Sequence, residues 1–531
     1  MEFRFNGSSV NQKTILNHPS GLFVLFFTEM WERFSYYGMR ALLVLFLVSG
    51  ISEGGWGWSR ESAGILYGWY TGLVYLTPII GGILADKIFG YRKAVVIGAL
   101  LMTLGHASMA LETQVFFYLG LSLLILGNGL FKPNISSIVG KLYKDPKDKD
   151  SGYTIFYMGI NAGAFLGIGL CGYIGEKVGW SYGFGLAGIF MFLGMLQFWF
   201  AQNIFGKIGL AKKQFDEYDE LEEISEIGQE IIQDSKDTIK IVEEVSSSKI
   251  VSDRIFVIVV FAVSTIFFWW AFEQAGSSMT IFASDYTDRI LVGDGALIFK
   301  WVNTILTVVP MLIVTWVLGL LFKQTFSKYA LSNIILGISF LIIWAIVIWM
   351  LYVEFSDDKA EVNASWFGIL NSFFIISFAP LFSKLWEKFP KIPGPAKFAL
   401  GLTLLGLGFA FLAYGSMSIP QGAKTASVSM FWLIMAYWLH TMGELCISPV
   451  GLSYVSKLAP AKLVGLMFGI WFASSAIANF LGGLTSSQID KISGAYSMSG
   501  FFLIFTIIPI AAGIIMLLLT PVLKKKMHGI N

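Results

Sequence analysis

The chain has 531 residues, 55% hydrophobic and 14% charged, with a mean hydropathy of +0.69. Soluble domains carry about a quarter charged residues, so an ordinary soluble fold is excluded. A net charge of +2 gives no argument for nucleic acid as a partner.

Apolar runs recur from end to end, each long enough to cross a bilayer as a helix. Lipid offers the backbone no water to bond, and the runs are too long and uniform for barrel strands. The expectation is an all-α polytopic membrane protein. In chain order its spans are predicted at 21–48, 62–86, 92–111, 114–140, 151–175, 181–205, 253–283, 297–322, 329–354, 363–386, 395–415, 427–455, 462–487 and 498–522, fourteen in all. The first span carries charge and lacks a small-residue cleavage site, so it reads as a mature helix and not a signal peptide. Cys171 and Cys446 each lie in an apolar run and read as packing residues, with no disulfide or metal site expected.

Alternate loops are basic. One set holds Lys87, Arg92 and Lys93, then Lys141 to Lys149, Lys323 and Lys328, Lys384 to Lys397, and Lys457 with Lys462; the tail Lys524–Lys526 joins them. The intervening loops hold one or two cations each, so both termini are expected in the cytoplasm of a cell-membrane protein. Residues 206–252 are acidic and polar, with Leu221, Ile224, Ile231, Val242 and Val245 at near-helical spacing. They read as a cytoplasmic amphipathic linker, serving as a tether or as a partner-binding helix. It separates six spans (1–205) from eight (253–531). Two six-helix bundles with one added pair fit that count.

The first span contains "FFTEMWERFSYYGMR". At about 100° per residue, Glu29, Glu32, Arg33, Tyr36, Tyr37 and Arg40 form one stripe. Each charge facing lipid at mid-bilayer would cost about 2.5–3.5 kcal/mol, so the stripe is expected to face a watery cavity or a paired partner. An ion-pair knot that only locks helices is the plainer alternative. Further polar groups lie deep in spans: Lys132, Asn161, Glu273, Gln274, Asn371, His440 and Glu444. A lone histidine such as His440 reads as structural, and a lone asparagine reads equally well as helix–helix glue. No phosphate-binding G-x-x-x-x-G-K-[ST] loop, H-E-x-x-H or G-x-S-x-G motif is present, so neither a nucleotide motor nor an enzyme is supported. Titratable carboxylates make the proton the simplest coupling ion.

"EMWERFSYYGMR", "GGILADKIFGYRK", "FYMGINAGAFLG" and "GELCISPVGLSYVSKLAP" together resemble the proton-dependent oligopeptide transporters, a branch of the major facilitator superfamily. The resemblance implies proton-coupled import of di- and tripeptides, without a cofactor or obligate protein partner. Another small solute, such as nitrate, a drug or an amino-acid conjugate, is the alternative. It further implies that Glu29, Glu32 and Arg33, with Glu273, couple protons. Arg33 and Lys132 would attract the peptide carboxylate; Asn161, Asn371 and Glu444 would hold its amino end. Tyr36, Tyr37, Tyr70 and Gln274 would contact the peptide, and Trp471 with Phe472 would line a side-chain pocket. With aromatics at 16% of the chain, plain packing of Trp471 and Phe472 is an equal reading. Asp86 and Arg92 fall in a loop that gates in the superfamily. One departure stands out: the added helix pair is expected at about 297–354, after the seventh core helix, and not at the junction of the halves. This makes Asn371, and not Asn303, the site asparagine, and leaves open whether the pair is peripheral or mediates a contact.

Overall fold

The structure, a computed structural model, describes residues 13–211, 248–389, 392–460 and 463–530. The helices are α1 Ser20–Val48, α2 Arg60–Leu84, α3 Tyr91–Met109, α4 Gln114–Lys141, α5 Pro146–Lys177, α6 Trp180–Ala201, α7 Ser248–Phe272, α8 Ser278–Asp285, α9 Gly293–Thr325, α10 Ala330–Ser356, α11 Ile369–Lys388, α12 Gly394–Gly415, α13 Phe431–Leu458, α14 Val464–Ser486, α15 Ile489–Tyr496 and α16 Met498–Lys526. Apart from the short α8 and α15, each corresponds to one predicted span. Among the described residues, eleven helical segments are long and apolar enough to cross a membrane. The first helix misses on charge: every 18-residue window of α1 contains Glu32 and Arg33 plus Glu29 or Arg40.

Three details of the chain depart from the predicted spans. The seventh span breaks at Glu273–Gly276, a 3-10 turn between α7 and α8. α2 runs into a π-helical turn at Ala85–Phe89. α13 starts four residues later than expected, because the loop before it pairs in parallel with Thr287–Asp288 through Val428–Ser429. The acidic amphipathic helix expected in the linker falls on 212–247, outside the described residues.

The fold is the major-facilitator arrangement of two six-helix bundles with two extra helices. In one bundle α1 packs on α5 and α6, and α3 packs on α4 and α6; in the other α12 packs on α13 and α16. The halves meet along α2 with α14 and α5 with α11. A Cβ on Gly483 would overlap the backbone of Gly68, so these two glycines let α14 and α2 touch main chain to main chain. The extra pair, α9 and α10, lies against the first bundle although its chain belongs to the second. Phe340 of α10 packs edge-on to Phe27 and Trp31 of α1 at 5.7 and 5.6 Å between centroids. Ser332 Oγ donates to the Gln197 carbonyl of α6 at 2.8 Å.

At the lysine-poor end, ion pairs tie the halves together. Arg60 on α2 reaches Asp285 at 2.5 Å and Asp490 at 2.8 Å, and Lys491 reaches Glu61 at 2.9 Å. Lys177 pairs with Glu361.

Candidate functional site

A cavity of about 360 Å³ lies between the two halves at mid-bundle. Four helices supply most of its polar groups at helical spacing, so each presents one face. α5 contributes Tyr157, Asn161, Ala164 and Ile168; α13 contributes Tyr437, His440, Glu444 and Ser448; α1 contributes Tyr37 and Arg40; α11 contributes Asn371 and Ser372. Lys132 of α4 and the aromatic pair Trp269 and Phe272 of α7 complete the wall.

Opposite charges face each other across this space. On the first half, Lys132 Nζ sits 4.5 Å from the centroid of the Tyr75 ring, a cation–π contact. Arg40 Nε donates to Tyr67 Oη at 2.7 Å, and its Nη2 pairs with Glu273 Oε2 of the second half. On the second half, Asn371 Nδ2 donates to Glu444 Oε2 at 2.8 Å and lies 3.2 Å from Thr441 Oγ1. The glycine at the break in the seventh span has a local reason. A Cβ on Gly276 would overlap Tyr67 Oη and come within 3.0 Å of Arg40 Nη2, so a glycine is needed where the Arg40–Tyr67–Glu273 knot approaches the turn.

The predicted stripe on α1 divides in two. Tyr37 and Arg40 line the cavity. Glu29, Glu32 and Arg33, one to two turns along, are buried to within 3% exposure and form a dry triad, not the wet edge expected of them. Arg33 Nε donates to Glu29 Oε1 at 2.7 Å and lies 2.8 Å from Glu32 Oε2. Asn128 of α4 donates to Glu32 Oε1 at 3.2 Å. Glu29 Oε2 has no hydrogen-bond partner among the described residues. The triad adjoins the chamber through α4: Asn128 donates to Glu32, and Lys132, one turn along the same helix, lines the cavity.

Other expected residues sit outside the cavity wall in this conformation. Tyr36 and Tyr70 are buried behind it, and Tyr36 packs edge-on to Tyr37 at 5.1 Å. The Gln274 amide donates to the Gly482 carbonyl at 3.0 Å and its oxygen accepts from Ser278 at 2.6 Å, so it holds the chain break to α14. The Trp471 indole covers Gly451 beside Phe398, a packing position, while Phe472 is exposed on α14. Asp86 accepts from Tyr91 Oη at 2.6 Å, and Arg92 donates to the Ile208 and Gly206 carbonyls. Asp86 thus bonds within the first half, and Arg92 bonds to the start of the linker segment. Arg40, Tyr157, Tyr437 and His440 are wall residues that sequence reasoning left out of the site. The run Tyr437, Thr441, Glu444, Ser448 was a readable polar face on α13, and Arg40 was already in the α1 stripe.

Two six-helix halves meeting at a charged mid-bundle cavity define a secondary transporter. Residues 92–219 and 335–502 match the POT family profile. The chain is similar to the uncharacterized transporter YclF of Bacillus subtilis (strain 168), 34% identical over 98% of each chain. It is 30% identical to the di-/tripeptide transporter of Lactococcus lactis subsp. cremoris over 97% of each. A crystal structure of a POT peptide transporter in complex with sulfate superposes with a TM-score of 0.73, at 30% identity and 98% coverage of both chains. The chain belongs to the POT family.

Proposed function

We propose that this protein is a multi-pass cell-membrane symporter that imports di- and tripeptides together with protons, with both termini in the cytoplasm. The observation that carries the reading is the charge layout of the central cavity. A zwitterionic peptide needs a cation at one end and an anion at the other. Lys132 and Arg40 stand on one half, and Glu444 braced by Asn371 stands on the other. The peptide carboxylate binds toward Lys132 and its amino group toward Glu444, with Asn161 beside it. Tyr37, Tyr157, Trp269 and Phe272 give side chains a forgiving aromatic surround. The di-/tripeptide transporter among its relatives supports the same substrate class.

Coupling follows from counting charges near the chamber. Arg33, Arg40 and Lys132 face four carboxylates, Glu29, Glu32, Glu273 and Glu444. When all are ionised the set carries one excess negative charge, so one proton makes it neutral, as mid-bilayer burial favours. A proton on Glu273 releases Arg40 and unties the halves; a proton on Glu29 or Glu32 leaves Arg33 with one carboxylate partner in place of two. Peptide and proton thus compete with the same internal ion pairs. Alternating access comes from their differing affinity for the two states. The first bundle (1–205) and the second (253–531) are the rocking bodies. The linker 206–252 is their tether, and Asp86 with Arg92 braces the gating loop at the basic end.

The test is uptake of labelled dialanine by proteoliposomes with an acid-outside gradient, with and without a protonophore. Saturable uptake that the protonophore abolishes is expected. Uptake indifferent to the gradient, or absence of competition by unlabelled dialanine, overturns the reading and favours another solute.

A further inference from the structure

A second cavity of about 430 Å³ lies toward the lysine-poor end, between α5 and the extra pair α9–α10. It is built, not incidental. Trp366 Nε1 donates to Asn303 Oδ1 at 3.2 Å, and Asn303 Nδ2 donates to Glu354 Oε2 at 2.8 Å, which fixes a carboxylate against the wall. Lys359 lines the same cavity and has no ion-pair partner among the described residues, whereas Lys177 and Glu361, which also line it with Asp357, pair with each other. Tyr173 and Trp366 supply flat apolar surface.

This cavity shares a wall with the central one, and Ser365 lines both. Beside Ser365, α5 and the Gly368–Ile369 segment are in close contact. A Cβ on Gly169 would sit 3.3 Å from Ile369 Cδ1, and one on Gly368 would sit 3.5 Å from Ile168 Cγ2. Glu176 of α5 latches the partition: its carboxylate accepts from Ala364 N at 2.9 Å, Ser365 N at 3.0 Å and Ser365 Oγ at 2.5 Å.

We propose that this second cavity is an outer binding site for a zwitterionic peptide, which waits there before passing the Glu176–Ser365 latch into the central chamber. Glu354, held by Asn303, receives the ammonium group; Lys359 receives the carboxylate; Tyr173 and Trp366 flank the side chain. The mixed charge matches the central site's own ligand, and the shared Ser365 wall connects the two. The extra helix pair thereby gains a role in substrate capture. The inference rests on the peptide-import reading above.

The test uses the full-length protein in nanodiscs. Val353, on the cavity wall, is replaced by cysteine and labelled with a polar maleimide; Cys171 and Cys446 are buried. Dialanine is expected to slow labelling about tenfold. That protection persists when E444Q disables the central site and disappears with E354Q. Dialanine counterflow by the Val353→Cys protein reports correct folding. If counterflow is intact and dialanine leaves labelling unchanged, the outer site is wrong while the import reading stands. If wild-type protein transports no dialanine at all, the import reading itself fails. Protection by phosphatidylethanolamine-rich nanodiscs but not by dialanine would assign the cavity to a lipid headgroup and overturn the proposal.

Discussion

Arg40 on α1 and Glu273 at the break between α7 and α8 form an ion pair across the two halves, on the edge of the central cavity. Glu273 is 3% exposed, and its arginine partner is also held by Tyr67. A buried pair of this kind adds little net stability over apolar packing, but losing one partner leaves the other charge costly. Such a pair suits a switch between states better than a permanent lock. Glu273→Gln is therefore expected to lower proton-driven dialanine uptake at least tenfold, about 1.4 kcal/mol. Counterflow, which needs no net proton movement, stays within about twofold of wild type. Equal loss of both in liposome assays would reduce Glu273 to a structural tie.

Lys132 and Glu444 are expected to read opposite ends of the peptide. Lys132→Ala should raise KM about tenfold for free peptides and leave C-terminally amidated ones nearly unchanged. Glu444→Gln should discriminate in the other sense, against N-acetylated controls. Competition series against labelled dialanine measure both, and matching losses for every capped analogue would remove the assignment.

Gly276 tests the local geometry without touching charge. Its missing Cβ leaves room for Tyr67 and Arg40, so Gly276→Ala forces that knot apart. Overpacking of this kind costs about 1–3 kcal/mol. A lower melting temperature in detergent is expected, together with weakened uptake. An unchanged melting temperature would show that the break tolerates a side chain.

The lysine-poor end carries a pH-sensitive tie. Glu361 lies outside the spans, and burial opposes its ionisation. Lys177 and Arg289 outweigh that opposition and hold its carboxyl below the usual carboxylate range. A depressed carboxylate contributes stability above its unfolded pKa and loses that contribution as pH falls through the folded value. Glu361 is partly exposed, so screening keeps the effect small. Between about pH 6 and about pH 3, wild type should lose more thermal stability than Glu361→Gln. Parallel melting curves across that range would dismiss the tie.

Much of this architecture was readable in the residues, because lipid imposes length and periodicity on every span. The added pair is placed at about 297–354 from where "WFGILNSFF" stands, and Asn371 of that stretch donates to Glu444. Helical phase placed six residues on one stripe of α1, but phase gives a face and not what packs on it. Asn128 and Arg33 close over Glu32, while the wall opens beside Tyr37 and Arg40. Spacing could not decide between packing and pocket for Trp471, nor find the structural role of Gln274, for a similar reason. Their partners, Gly451 and Gly482, lie across tertiary contacts that no spacing announces. The second cavity was also illegible, since Asn303, Glu354 and Trp366 come from three separate segments.

On the proposed mechanism, peptide and proton move together through one charged chamber. Proteoliposomes loaded with a pH-sensitive dye, at equal pH on both sides and clamped membrane potential, test it directly. Dialanine added outside should acidify the lumen at a rate that saturates with dialanine and is lost in Glu32→Gln. Dialanine accumulation without any lumenal acidification would contradict it.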